Sequence, residues 1–96
     1  MICRIWHGWT RPEDADAYEL YLRDELFPRI EREVGGRGQV LRRSDGDEVA
    51  FVTLVWFESL DVVRSFAGDD YEKPVISERA AQLLSHYDDR ALHYEA

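Results

Sequence analysis

The sequence predicts an α+β fold in which an antiparallel four-stranded sheet carries its helices on one face. The first observation is the stretch 49–57, nine residues without a charge and rich in β-branched and aromatic types, which is typical of a central strand buried on both faces. The second is that segments with helical periodicity precede and follow this stretch, and the third is that strand-like patterns occupy both ends of the chain. A length of 96 residues without linker or repeat predicts one domain, 1–96.

The first strand and first helix are predicted from the N-terminal third. Residues 1–9 place large apolar side chains on both faces of a strand. Thr10 to Glu13 has the form of a capping box with an early proline, so we expect the helix to begin there. Apolar residues then recur every four positions, and Gly35 ends the pattern. Because Pro28 lacks an N–H group, the helix is expected to kink or restart near Phe27.

A hairpin and a second helix follow. Residues 39–43 are predicted to form a polar edge strand, joined to the central strand by a turn at Asp45-Gly46. Ser59 is a plausible N-cap for a helix of about two turns, which Gly68 would close.

The C-terminal segment predicts a third helix and a last strand. Apolar residues within 76–87 have helical spacing, and Pro74 marks a break before them. Residues 90–95 alternate as a strand does. The resulting order of elements is ferredoxin-like, and its right-handed crossovers place the helices on one face of the sheet.

The other face of this sheet predicts a homodimer. The even positions of the central strand are Ala50, Val52, Leu54 and Trp56, which are apolar without interruption. At roughly 25 cal/mol per Å² of apolar area, leaving them in water would forfeit several kcal/mol, comparable to the stability of a small domain. These four residues are therefore predicted to form the dimer face.

Charge and composition exclude several classes of partner. Twenty acidic and twelve basic residues give a net charge of −8, which repels nucleic acid and anionic membrane surfaces. The single cysteine, Cys3, cannot form an internal disulfide, and no apolar stretch is long enough for a signal peptide or membrane span. We expect a cytoplasmic protein with no nucleic-acid and no membrane partner.

Four short motifs carry a family resemblance. They are Arg4-Ile5-Trp6-His7-Gly8, Phe57-Glu58-Ser59, the run from Phe66 to Asp70, and His93-Tyr94-Glu95. In this order the chain resembles the antibiotic biosynthesis monooxygenase family of dimeric α+β barrels. The resemblance implies a homodimer with two sheets packed face to face. It also implies one pocket per subunit between sheet and helices, and a small aromatic ligand.

The resemblance also implies which positions carry the polar residues of a cofactor-free oxygenase of this family. Such enzymes act on polyphenols or quinols with an asparagine in the third strand, a tryptophan before Glu-Ser and a tyrosine in the next helix, where this chain has Thr53, Phe57 and Val63. Haem-degrading relatives carry an axial histidine, where this chain has Val75 and Ile76. We therefore expect no cofactor, neither haem nor flavin.

Histidines are the remaining candidates for catalysis. His7 in the first strand and His93 in the last are predicted as catalytic residues that take up a phenolic proton, and adjacent strands would let both reach one cavity. The alternative is that each is a structural imidazole bonded to backbone or lying on the dimer face. His86 is more typical of a solvated helix cap than of a metal ligand, and no metal site is predicted.

The predicted pocket lining combines strand and helix residues, namely Thr53, Phe57, Tyr21, Phe66 and Tyr71. Arg4 interrupts an apolar strand, so it needs an acidic partner or a hydrogen-bonded position at the end of the barrel, and we expect a structural ion pair in preference to an anion site.

Two functional hypotheses follow from the sequence. One is a cofactor-independent monooxygenase acting on an electron-rich aromatic or quinol. The other is a non-catalytic dimeric ligand-binding or stress-associated protein that keeps the cavity without the polar machinery.

Overall fold

The computed structural model describes all 96 residues as a five-stranded antiparallel sheet with helices. The strands are β1 (Ile2–Thr10), β2 (Arg37–Asp45), β3 (Glu48–Phe57), β4 (Leu84–Tyr87) and β5 (Leu92–Glu95). The helices are α1 (Pro12–Tyr21), a π-helical turn (Leu22–Leu26), α2 (Phe27–Val34), α3 (Leu60–Ala67) and α4 (Glu78–Leu83). None of the helices combines the length and the apolar character needed to cross a lipid bilayer.

The sheet has the strand order β2-β3-β1, and both short strands pair with the remaining edge of β1. β5 lies beside the first half of β1, from Ile2 to Ile5, and β4 lies beside Gly8 to Thr10. The predicted α+β fold with a central β3 is thus confirmed in a form compatible with a ferredoxin-like fold. Its fourth strand position is divided between two short strands.

The register of β1 against β3 determines which residues share a face. Trp6 lies opposite Thr53 and His7 opposite Val52, and directly opposed residues point to the same side. We call the side of Thr53 the covered face, because its β3 residues are buried, and the side of Val52 the open face, because its β3 residues are only half-buried.

One long helical segment crosses the covered face. Its N-cap is Arg11 without a side-chain bond, and the Thr10 hydroxyl donates to the Arg11 carbonyl at 2.9 Å, so the predicted capping box is wrong. The helix widens into the π-helical turn immediately before Pro28, where the Phe27 N–H bonds to the carbonyl of Leu22. This widening lets the chain accommodate the proline and continue as α2.

Glycine and serine delimit the helices as predicted. Gly35 ends α2 with a left-handed φ of 70°, and its N–H donates to the Glu31 carbonyl at 3.0 Å. The Ser59 hydroxyl accepts from the Val62 N–H at 3.3 Å and begins α3, which Gly68 closes.

The predicted third helix is wrong in its second half. α4 ends at Leu83, and Leu84 to Tyr87 instead form β4. His86 and Tyr87 pair with Trp9 and Gly8 of β1, so the edge of β1 supplies the backbone bonds that another helical turn would have made.

The core consists of two separate clusters on the covered face. The larger one surrounds Tyr18 and Phe51 under α1 and α4, and the smaller one surrounds Phe57 and Val63 under α2 and α3. On β3, Thr53 lies between the strand residues of the two clusters.

Candidate functional site

An interior cavity occupies the gap between the two core clusters. It has a volume of about 40 Å³ and is lined by 14 residues, of which 12 are hydrophobic. Its floor is β1 and β3, its roof is the long helical segment, and its remaining walls come from Phe66, Val75, Ile76 and Ala80.

Thr53 separates the buried strand residues of the two clusters, and the partly buried Leu26 and Phe27 contact both clusters. Thr53 is smaller than the Phe51 before it, and it is buried. Its hydroxyl is 3.5 Å from the Trp6 carbonyl, a long contact that leaves the oxygen available to a ligand. The Trp6 ring lines the cavity, and its indole N–H donates to the Asp88 carbonyl at 2.7 Å.

Arg4 contributes a buried positive charge to the cavity wall. The residue is 5% exposed, and its guanidinium donates to the Tyr71 carbonyl and, at 3.0 Å, to the Lys73 carbonyl. No Asp or Glu oxygen lies within 4.0 Å of it, so the predicted ion pair of Arg4 is wrong and the alternative, a hydrogen-bonded position, is found. Burial lowers the Arg4 pKa to about 10, which leaves the group charged at neutral pH.

His93 lies directly opposite Arg4 on β5 and is bonded to it. Its Nε2 is 3.1 Å from Nη1 of Arg4, and because a guanidinium can only donate, Nε2 must be the unprotonated acceptor. The proton of the neutral ring is then on Nδ1, which is buried without a hydrogen-bond partner. Burial, and secondarily the charge of Arg4, lower the pKa of His93.

The two histidines predicted as catalytic lie on different faces of the sheet. His7 is on the open face beside Val52, where its Nδ1 is 3.4 Å from an Asp88 carboxylate oxygen. His93 is opposite Arg4 on the covered face but outside the cavity wall. The expectation that both imidazoles reach one cavity is therefore corrected by the register of β1.

The predicted pocket-lining residues divide into two groups. Thr53, Tyr21 and Phe66 line the cavity, whereas Phe57 and Tyr71 lie outside its wall. Phe57 is fully buried in the smaller cluster, and the Tyr71 ring packs edge-on against the His93 ring at 5.0 Å.

Sequence reasoning missed Arg4 and Trp6 as cavity residues. Both faces of β1 carry large apolar side chains, so its pattern alone does not show which face meets the helices. The signal that identifies Arg4 and Trp6 is their pairing with Val55 and Thr53. The Tyr21 hydroxyl bonds to the Ser77 hydroxyl at 2.7 Å, and burial raises the pKa of Tyr18.

His86 is a strand residue, so its interpretation as a helix cap is wrong. It stacks on Trp9 with ring centroids 4.4 Å apart, and its Nε2 is 2.9 Å from Oε1 of Glu48. Nowhere in the chain do three or more His, Cys, Asp or Glu side chains come together in a way that could hold a metal ion.

The cavity thus offers an apolar space, a guanidinium and hydroxyl groups, and no carboxylate or imidazole on its wall. An apolar space with a few polar groups is typical of small-molecule sites, but this wall carries no imidazole or carboxylate that could act as a general base. Comparison with family models and with curated proteins finds no match to the chain.

Proposed function

We propose that this protein is a small-molecule-binding homodimer whose interior cavity takes an electron-rich aromatic or quinol ligand. The observation that carries the proposal is the apolar cavity between the two core clusters, with Arg4 and Thr53 as polar groups in its floor. Pockets for small molecules are typically apolar with a small number of placed polar groups. This function agrees with the family that the sequence resembles.

Binding of a ring requires that the cavity enlarge. Its volume of about 40 Å³ is well below the about 150 Å³ that accommodates benzene in an engineered cavity. The wall residues Val75 and Ile76 belong to the segment between α3 and α4, which has no helix or strand. We infer that movement of this segment admits the ligand, because few backbone bonds hold it, among them Ala91 N–H to the Glu72 carbonyl at 2.7 Å.

Dimerisation is supported by the distribution of exposed apolar groups. Leu41, Leu92 and Tyr94 are each more than half exposed and lie on the open face, by their pairing with Val52, Ile5 and Cys3. Together with the half-buried even residues of β3 they give the open face an apolar centre, which Arg37, Gln39 and Arg43 of the edge strand β2 flank. Pairing two such sheets would bury more than about 1,000 Å², the size of a stable interface, and would form a dimeric α+β barrel.

A cofactor-independent monooxygenase is the second candidate. In such a reaction the ionised quinol supplies four electrons to O₂, one oxygen atom enters the ring and the other leaves as water. The charge of Arg4 at the cavity favours this chemistry because it stabilises an anionic ring. The absence of an imidazole or carboxylate from the wall favours binding without turnover.

The test is titration with 1,4-dihydroxynaphthalene, followed by thermal unfolding under nitrogen and by oxygen uptake under air. Saturating quinol is expected to raise the midpoint of unfolding, because a ligand that binds only the native state stabilises it. Thr53→Leu fills the cavity and is expected to abolish this shift, whereas Leu20→Met on an exposed helix position keeps it. An unchanged midpoint of unfolding in the wild type refutes ligand binding. Fast oxygen uptake without added metal or flavin would show that the protein is a cofactor-independent monooxygenase and not a binding protein.

A further inference from the structure

The Arg4 and His93 pair contains more hydrogen-bond donors than acceptors. A guanidinium carries five N–H donors, and the contacts to two carbonyls and to Nε2 of His93 occupy three of them. Nδ1 of His93 adds a buried donor without a partner. No acidic side chain supplies the missing acceptors, although the chain as a whole has eight more acidic than basic residues.

A buried cation without a counter-ion is costly, so its persistence in a small domain requires a reason. The two backbone carbonyls offset part of the desolvation of Arg4, but they carry only partial charge. The Phe66 ring lies 5.8 Å from the guanidinium carbon and offers a weak cation–π contact. A ligand anion in the cavity would neutralise the charge and supply acceptors to the two N–H donors of Arg4 that have none.

We propose that the ligand of this cavity is an aromatic carboxylate and that its carboxylate binds to the guanidinium of Arg4. Arg4 lines the cavity, and we infer that an anion at one end of the ligand reaches its guanidinium while the ring occupies the apolar space between the clusters. Arg–carboxylate pairs combine charge with paired, directional N–H donors, which gives both affinity and orientation. This inference rests on the proposed function and adds the ionic group by which the ligand is recognised.

Arg4 also holds part of the cavity wall, because its guanidinium binds the segment between α3 and α4. The carbonyls of Tyr71 and Lys73, which Arg4 binds, belong to the segment between α3 and α4 that also contributes Val75 and Ile76 to the wall. Two N–H donors of Arg4 remain for a carboxylate while these two carbonyls stay bound. Arg4 can therefore hold the anion and this part of the cavity wall at the same time.

The experiment uses a matched pair of probes, 2-naphthoate and 2-naphthamide, titrated into the wild-type protein at pH 7 by calorimetry. We expect naphthoate to bind about tenfold more tightly or better, because hydrogen bonds to a charged group are stronger than those between neutral groups. Arg4→Gln is expected to remove this preference and Arg4→Lys to retain part of it. Arg23→Gln, which removes an exposed arginine paired with Glu19, is the control and keeps it.

A second readout needs no variant. In the wild type, naphthoate is expected to shift the NMR signal of the Arg4 Nε–H strongly, and naphthamide much less. Equal affinity for the two probes, or a preference for naphthoate that survives in Arg4→Gln, overturns the inference and leaves binding in the cavity intact. Failure of both probes and of the quinol refutes the proposed function, and the inference with it.

Discussion

The two faces of the sheet carry similarly apolar side chains on β3 but differ in how deeply those side chains are buried. On β3 the covered face presents Val49, Phe51, Thr53, Val55 and Phe57, all of them at most 9% exposed. The open face presents the even residues of the same strand, equally apolar from Ala50 to Trp56, and each of them is only half-buried. The difference comes from what lies above each face and not from the strand itself.

The polar groups of the two faces also differ. On the covered face Arg4 and His93 are bonded to each other and lack an acidic partner. On the open face His7 is near Asp88, His86 is bonded to Glu48, and the Trp9 indole donates to Asp45 at 3.0 Å. These imidazole and indole groups of the open face therefore have acidic partners while apolar side chains beside them are exposed, whereas the covered face buries its apolar side chains and leaves Arg4 without a counter-ion. A protein partner suits the first and an anionic ligand suits the second.

The strongest test of this comparison is a charge on the open face. Leu54→Asp places a carboxylate among Ile5, Val52 and Trp56, and at a dimer seam an unpaired charge costs several kcal/mol per subunit. We expect loss of the soluble dimer in favour of aggregate or unfolded chain, measured by sedimentation equilibrium and circular dichroism.

The control for that variant is Leu20→Asp, because Leu20 is 59% exposed on α1, away from the sheet. It is expected to remain dimeric and folded. A wild-type mass equal to one chain of 11.3 kDa across micromolar concentrations would contradict the dimer, and so would a stable, soluble and folded Leu54→Asp monomer.

Two valines of β3, one on each face, test the same comparison with smaller expected effects on stability. Val55→Ala removes two buried methyl groups from the smaller cluster and is expected to cost about 2 kcal/mol in the free energy of unfolding. Val52→Ala removes the same atoms from the open face and is expected to act on association, raising the concentration at which dimers dissociate.

Urea unfolding and sedimentation of the two variants, each at several protein concentrations, separate these effects. If Val52→Ala destabilised the chain as much as Val55→Ala without weakening the dimer, the two faces would not differ in the way proposed.

The fold could be predicted from the sequence where local chemistry and hydrophobic pattern agree. The nine uncharged residues of β3, the cap at Ser59 and the stop at Gly35 each depend on a few neighbouring residues, and all are found as predicted. β4 could not be predicted, because Leu84 and Tyr87 continue the helical spacing of α4 and only pairing with β1 makes them a strand. Tertiary hydrogen bonds overrode a local pattern there.

The candidate site could not be predicted from the sequence alone, because its position depends on the register of β1 against β3. Either face of β1 is apolar enough for the core, so the choice between His7 and Arg4 as the inward residue was open. The register directs Arg4 and Trp6 inward with Thr53, and it leaves His7 outside. Three of the five predicted lining residues, Thr53, Tyr21 and Phe66, reach the cavity. Helical periodicity indicates the inward side for Tyr21 and Phe66, whereas the inward side of Thr53 follows from which face of β3 the helices cover.

The prediction with the smallest expected effect concerns the pH dependence of stability. It compares His93 on the covered face with His7 on the open face. Because the pKa of His93 is lowered in the folded protein, from an ordinary value of 6.5, the unfolded chain binds more protons than the folded chain just below pH 6.5. Stability is therefore complete above about pH 6.5 and declines as the pH falls toward the lowered pKa. His93→Gln is expected to flatten this decline between pH 7.5 and 5, and His7→Gln on the open face to preserve it. Urea unfolding at fixed protein concentration measures both slopes, and a decline that persists unchanged in His93→Gln would show that the imidazole beside Arg4 is not its source.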